Sequence, residues 1–103
     1  MKEILGKWTQ PEGQAYPGLW FEFKDDGTFK SHYDAMGIDS SGTYVIKDTH
    51  INMDQTAHTF GLIGKFEGIF EIDGNTLKMT LVSAADKPRP TDLSEARIYI
   101  KTN

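Results

Sequence analysis

The chain contains no cysteine. This absence excludes disulfides, thiolate metal ligands and a cysteine nucleophile, but it leaves the compartment open because cytosolic and cysteine-free exported proteins look alike in this respect. The sequence also lacks an apolar run of about 18 residues and an apolar signal-peptide segment near its start. We therefore expect no membrane span and a cytoplasmic protein by default, with an exported form whose leader was removed as the alternative.

Positive charge is also scarce. Eleven Lys and Arg stand against fifteen Asp and Glu, which gives a formal net charge of -4. Nucleic-acid-binding domains usually carry a basic stripe that neutralises phosphates, so we expect no nucleic-acid partner. With 38% hydrophobic residues the composition is that of a globular domain, and a length of 103 residues predicts a single domain over residues 1–103.

The clearest pattern in the chain predicts a β-hairpin around an Asp-Gly turn. Leu19, Phe21 and Phe23 recur at every second position, and Glu22 and Lys24 fall on the opposite face. The Asp-Gly pair that follows supplies the positive φ of a tight turn. The apolar face is therefore predicted to point into the core.

Similar runs predict an all-β domain of eight strands. Helical signals are weak and are confined to residues 55–59 and 90–96. A short all-β domain can hide its edge strands by closing its sheet, so we favour an up-and-down antiparallel eight-stranded barrel over a sandwich. The predicted strands cover residues 5–10, 19–24, 28–33, 42–46, 50–54, 64–72, 76–82 and 96–101.

Four short motifs lie along the chain. They are Gly6-Lys7-Trp8, Gly42-Thr43-Tyr44, the hairpin sequence GIFEIDGNTLK and Arg89-Pro90-Thr91. Together they resemble the short bacterial lipocalin-like, or calycin-type, domains, including the planctomycete-type family of unknown function. The resemblance covers nearly the whole chain, although the first motif has one residue fewer between its Leu and its Gly.

The resemblance implies how one end of the barrel is closed. In lipocalins the Trp of the first strand closes that end, and a basic residue of the last strand packs over it. Trp8 takes the first position here, and Arg97 is the candidate for the second, with Lys101 behind it. The alternative is an exposed Arg97 at a strand end, because we predict that Ile98 and Ile100 point inward.

The resemblance also implies a barrel that binds a small apolar ligand in a narrow internal cavity. Tyr16 and Trp20, in the loop before the second strand, are expected at the mouth of the cavity, either as a ligand-contacting flap or as a lid packed on its own barrel. Eight short strands enclose an interior that side chains alone can fill. The alternative function is therefore a filled barrel that acts as a protein-interaction or structural module, as a monomer or a homodimer. The predicted cavity lining is Phe21, Phe29, Tyr44, Phe66, Phe70 and Met79.

Patterns for catalysis or metal binding are weak. His32 and His50 lack metal-ligand spacing on a helix, and a cross-strand pair of this kind needs no metal. Ser40 and Ser41 follow Asp39, a cluster that we interpret as turn chemistry before the next strand rather than as a nucleophile with its base.

Three further charged residues and one glycine have structural interpretations. Glu67 and Glu71 are predicted on the solvent face of their strand, and Arg89 is expected to pair with a nearby carboxylate. Gly68 marks either room for a ligand or a sharp strand bend. We therefore expect a non-enzymatic protein without a cofactor or metal.

Overall fold

The computed structural model describes residues 4–102 as a closed barrel of eight antiparallel strands. Each strand pairs with the next along the chain, and the last pairs with the first. This confirms the predicted eight-stranded antiparallel barrel. The strands are β1 (Gly6–Thr9), β2 (Trp20–Phe23), β3 (Thr28–Tyr33), β4 (Ile38–Lys47), β5 (His50–His58), β6 (Gly64–Asp73), β7 (Thr76–Ser83) and β8 (Arg97–Lys101).

The two ends of the barrel differ in their connections. Short turns join β2 to β3, β4 to β5 and β6 to β7 at one end, which we call the closed end. The longer loops between β1 and β2, β3 and β4, β5 and β6, and β7 and β8 lie at the other, which we call the open end. A 3-10 turn, Asp34–Met36, belongs to the β3–β4 loop. Within residues 4–102 no helix has the length and apolarity that a membrane crossing requires.

The core forms where the inward faces of all eight strands meet. Period-two alternation sends one apolar set inward, as in β7, where Leu77 is 0% and Met79 2% exposed while Lys78 between them is exposed. Burying a large apolar side chain contributes roughly 1.5–3 kcal/mol relative to leaving it in water. The buried set is Ile4, Trp8, Phe23, Phe29, Tyr44, Ile51, Met53, Leu77, Met79 and Tyr99.

Two segments that the sequence predicts as turns belong to strands. Asp39, Ser40 and Ser41 lie in β4 and pair with β3, and Ser40 and Ser41 also pair with β5. Residues 55–58, predicted as a helical turn, continue β5. Their local preference for turns gives way because each segment has a hydrogen-bonding strand beside it, and a β-bulge after Ser41 absorbs the irregularity.

The side chains of the last strand face the opposite way to the one predicted. Tyr99 pairs directly with the buried Leu77 and is only 3% exposed, whereas Ile100 is 37% exposed. Directly opposite residues share one face of a sheet, so Leu77 sets the inward direction of Tyr99. Arg97 therefore also points into the barrel, and the prediction that Ile98 and Ile100 point inward is wrong.

Gly68 marks a close approach of two strands rather than a space for a ligand. A Cβ atom at this position would overlap the backbone oxygen of Thr80 on the neighbouring strand. Only glycine permits this approach, which lets β6 coil closely against β7.

Candidate functional site

Trp8 lies at the closed end, and Lys101 rather than Arg97 covers it. The indole is fully buried, its Nε1 donates to the Ile4 carbonyl oxygen at 2.8 Å, and the Lys101 Nζ lies 5.3 Å from the ring centroid. The Lys101 N–H donates to the carbonyl of Asn75 in the β6–β7 turn, which fixes this position at the closed end. Arg97 precedes Lys101 by four residues, about 13 Å of strand, and so reaches the open end.

Aromatic rings fill the middle of the barrel up to the level of Phe21. The Phe21 ring lies 6.0 Å from Phe23, 6.3 Å from Phe29 and 5.8 Å from Tyr99. Phe29 and Tyr44, both predicted to line a cavity, are 1% and 3% exposed and belong to this packed interior. Phe21 therefore forms the floor of the space that remains at the open end.

Two clefts open above this floor and share Tyr16, Leu19 and Phe21 as a common wall. The first cleft has a volume of about 460 Å³ and the second about 370 Å³. The first is otherwise lined by Ser31, Tyr33, Met36, Ile38, Ser40, Gln55, His58, Leu62 and Phe66. The second is otherwise lined by Met79, Thr80, Leu81, Val82, Lys87, Glu95, Arg97 and Tyr99.

The predicted lining residues therefore lie in three different places. Phe21, Phe66 and Met79 contribute to the clefts at the open end. Phe29 and Tyr44 are core, and Phe70 lines a different depression near Ile4 and the β4–β5 turn. Sequence alternation assigns a side chain to the inward face, but it does not give its height in the barrel.

Tyr16 lies over the open end, in a turn that its neighbours define. The Leu19 N–H donates to the Tyr16 carbonyl at 3.0 Å, and Pro17 and Gly18, with φ of 90° at Gly18, occupy the two central positions. This is the pattern of a type II turn. The Tyr16 ring packs edge-on against Tyr33 with centroids 5.7 Å apart, so Tyr16 separates the two clefts.

Gln10 ties the Tyr16 turn to the barrel. Its Oε1 accepts the Tyr16 N–H at 3.0 Å, its N–H donates to the Leu19 carbonyl, and its carbonyl accepts the Gly18 N–H. The Gln10 side chain is 1% exposed. Gln14 provides a second tie, because its Oε1 accepts the Ile98 N–H of β8 at 2.9 Å. Both glutamines therefore anchor the β1–β2 loop to the barrel.

Arg97 lies beside this turn in the second cleft. Its guanidinium carbon is 4.8 Å from the centroid of the Tyr16 ring, a cation–π distance. Burial raises the pKa of the neighbouring Tyr99 hydroxyl, whereas a hydrogen bond from the Gln10 side chain and the charge of Arg97 lower it. The cleft thus combines an apolar wall with several polar and charged side chains.

Trp20, predicted at the mouth, points to the outer face of the barrel. The Lys7 Nζ lies 4.2 Å from the centroid of the Trp20 ring, and the His32 ring lies 5.9 Å from it. Trp20 precedes the inward-facing Phe21, so alternation turns its ring outward. Of the two residues predicted at the mouth, Trp20 thus lies on the outer face and Tyr16 lies over the open end.

His32 lies near the same outer face, between the carboxylates of Asp34 and Asp39. Its Nδ1 lies 2.6 Å from Asp39 Oδ1 and its Nε2 lies 3.5 Å from Asp34 Oδ1. The hydrogen bond with Asp39 is the main cause that raises the pKa of His32, and Asp34 adds to it. Across the described part of the chain, no group of three or more His, Asp or Glu side chains is arranged to hold a metal ion.

The sequence patterns miss the apolar loop residues at the open end. Met36, Phe60, Leu62 and Ile63 are 59–66% exposed, and Met36 and Leu62 line the first cleft. They lie in loops, where neither period-two nor helical alternation applies. The one available signal is the apolar run FGLIG, which stands between two strands without a polar residue.

Family models, curated proteins and solved structures all fail to match this chain. The assignment of a function therefore depends on the geometry of the open end.

Proposed function

We propose that this protein is a non-enzymatic, lipocalin-like barrel that binds a small, largely apolar molecule at its open end. The observation that carries the proposal is the wall of Tyr16, Leu19 and Phe21, which two clefts share above a packed interior. A ligand there would exchange water on this wall for apolar contact, at roughly 25 cal/mol for each Å² buried.

The dimensions and chemistry of the clefts support this proposal. Small-molecule sites usually occupy about 300–1,000 Å³ and combine apolar walls with a few polar groups. The clefts, of about 460 and 370 Å³, lie within that range. Tyr16 is 43% exposed and stands between them, so a ligand would contact a ring that is already partly held by Tyr33.

Binding without chemistry fits the polar groups of the first cleft. His58 Nδ1 accepts the Phe60 N–H at 3.0 Å, and Gln55 Nε2 donates to the Leu62 carbonyl at 2.6 Å. Both side chains thus hold the β5–β6 loop. Ser40 lies opposite His58 on the neighbouring strand and lines the same cleft, but the His58 Nδ1 already accepts the Phe60 N–H. Nucleophilic catalysis requires a base that is hydrogen-bonded to the nucleophile.

The test is a titration of the ¹⁵N-labelled protein with 1-octanol, followed by amide chemical shifts. We expect saturable shifts in Leu19, Phe21 and their neighbours. Leu19→Trp, which fills the shared wall, should weaken binding at least about tenfold. Val45→Trp is the matched control because Val45 is 62% exposed on the outer face, and it should bind 1-octanol like the wild type. Absence of saturable shifts, or equal binding by both variants, would overturn the proposal.

A protein-interaction module is the second candidate, favoured by the exposed apolar loops. Phe60 is 66%, Leu62 61% and Ile63 62% exposed, and all three belong to one loop at the open end. Exposed apolar patches of this kind often mark protein contacts. Sedimentation velocity tests its homodimer form: a dimer that Phe60→Ser dissociates supports it, and a monomer at all concentrations rejects that form.

A further inference from the structure

The second cleft has a charge opposite to that of the whole protein. Lys87, Glu95 and Arg97 line it, so its formal charge is positive, whereas the chain as a whole carries -4. Lys87 and Glu95 are exposed at the rim, and Arg97 is partly buried beside the apolar wall. A low-dielectric wall strengthens the field of the one charge that it adjoins.

No ion pair or side-chain hydrogen bond within residues 4–102 uses the guanidinium donors of Arg97. The three ion pairs within residues 4–102 are His32 with Asp34, His32 with Asp39, and Arg89 with Glu67. Arg97 takes part in none of them, although Glu95 lines the same cleft. The guanidinium carbon lies 4.8 Å from the centroid of the Tyr16 ring, a cation–π contact that occupies none of the five N–H donors.

The neighbouring buried polar groups already have partners. The Gln10 side chain is 1% exposed, and its hydrogen bond to the Tyr99 hydroxyl lowers the pKa of that group against the effect of burial. Tyr99 also lines the cleft. Arg97 is therefore the group beside the apolar wall whose donors remain for a ligand.

We propose that the molecule bound at the open end carries a carboxylate, and that the Arg97 guanidinium binds this group while the apolar body lies against Leu19 and Phe21. This inference rests on the proposed ligand-binding function and specifies the chemical class of the ligand. A guanidinium presents two parallel N–H donors that match a carboxylate, and such charge-assisted pairs are about twice as strong as neutral hydrogen bonds.

The test compares three probes that share an eight-carbon chain: octanoate, 1-octanol and octylammonium. Dissociation constants come from amide-shift titrations at neutral pH and constant ionic strength. We expect octanoate to bind the wild type about tenfold more tightly than 1-octanol, and octylammonium more weakly than either. Arg97→Gln should remove the preference for octanoate over 1-octanol.

Two further variants keep the test informative. Arg97→Lys retains the charge without the paired donors and should keep only part of the preference. Lys47→Gln removes one positive charge at the exposed end of β4, next to the β4–β5 turn at the closed end. This control variant should keep the full preference for octanoate. If Arg97→Gln does not fold, the ranking of the three probes on the wild type and on Arg97→Lys decides the question.

The outcomes separate the two proposals. If none of the three probes binds, the ligand-binding function itself is wrong. If 1-octanol binds but octanoate has no advantage, if octylammonium binds best, or if Arg97→Gln keeps the octanoate preference, ligand binding stands and the carboxylate assignment is overturned.

Discussion

Lys101 covers the Trp8 indole with its Nζ 5.3 Å from the ring centroid, while Arg97, on the same face of β8, stacks on Tyr16 at 4.8 Å. The two cations of the last strand thus serve opposite ends of the barrel. Lys101 lies at the closed end, where its contact with Trp8 contributes to stability. Arg97 is left at the open end, where the fold itself makes little use of its charge.

Removal of the Trp8 indole should lower the stability of the whole fold. Trp8→Ala deletes a fully buried aromatic group and its hydrogen bond to Ile4, and we expect a loss of about 3–5 kcal/mol in the free energy of unfolding. Lys101→Met keeps the apolar stem and should cost only about 0.5–1 kcal/mol. Urea denaturation measures both values. Near-neutral stability of Trp8→Ala would contradict the role of the indole as buried core.

The sequence predicts the barrel well because its strands alternate strongly and its turns are local. The hairpin of β2 and β3 follows from the spacing of Phe21 and Phe23 and the turn residues between the strands. The register of β8 is harder. Both faces of this strand carry large side chains, and pairing with Leu77 in β7 decides between them. That information is tertiary and cannot be read from five residues of local sequence.

The candidate site is only partly visible in the sequence for a related reason. Phe66 and Met79 border the clefts at the open end, whereas Phe29 and Tyr44 border neither of them. Strand tilt in a barrel separates residues that alternation treats as equivalent. Met36 and Leu62 are missed because loops carry no periodic signal.

Arg89 clamps the β7–β8 loop onto the outer side of the barrel. Its guanidinium donates to the carbonyls of Ile51 and Gly68, to Asn52 Oδ1 at 2.6 Å and to Glu67 Oε2 at 3.4 Å. The last of these contacts confirms the predicted pairing with a carboxylate.

Substitution of Arg89 should therefore destabilise the barrel. Arg89→Gln loses most of these hydrogen bonds, and we expect a cost of about 1.5–3 kcal/mol in urea denaturation, because two strand carbonyls lose a charged donor. Lys87→Gln, two residues earlier and exposed, should change stability by less than about 0.5 kcal/mol. Equal stability of the two variants would show that the clamp contributes nothing.

The pair of His32 and Asp39 predicts a pH dependence of stability. The pKa of His32 is raised above its ordinary value of 6.5, chiefly by the hydrogen bond to Asp39. The charged imidazole is thus favoured in the folded state. Its stabilising contribution is complete below about pH 6.5 and disappears as the pH rises through the higher folded-state pKa.

Two measurements examine this dependence. NMR titration of the His32 ring proton should give a midpoint above 6.5 in the wild type and a lower midpoint in Asp39→Asn. The melting temperature of the wild type should exceed that of His32→Gln below this midpoint, and the difference should shrink at higher pH. The same midpoint in both proteins would show that Asp39 does not act on the imidazole.

The most direct test of a binding site at the open end is a set of isotope-filtered NOEs between the labelled protein and whichever of octanoate and 1-octanol binds more tightly. The account predicts NOEs from the methyl end of the probe to side-chain protons of Leu19 and Phe21, above the packed rings of the interior. NOEs confined to the outer face, such as to Val45, or a complex without NOEs to either wall residue, would contradict it.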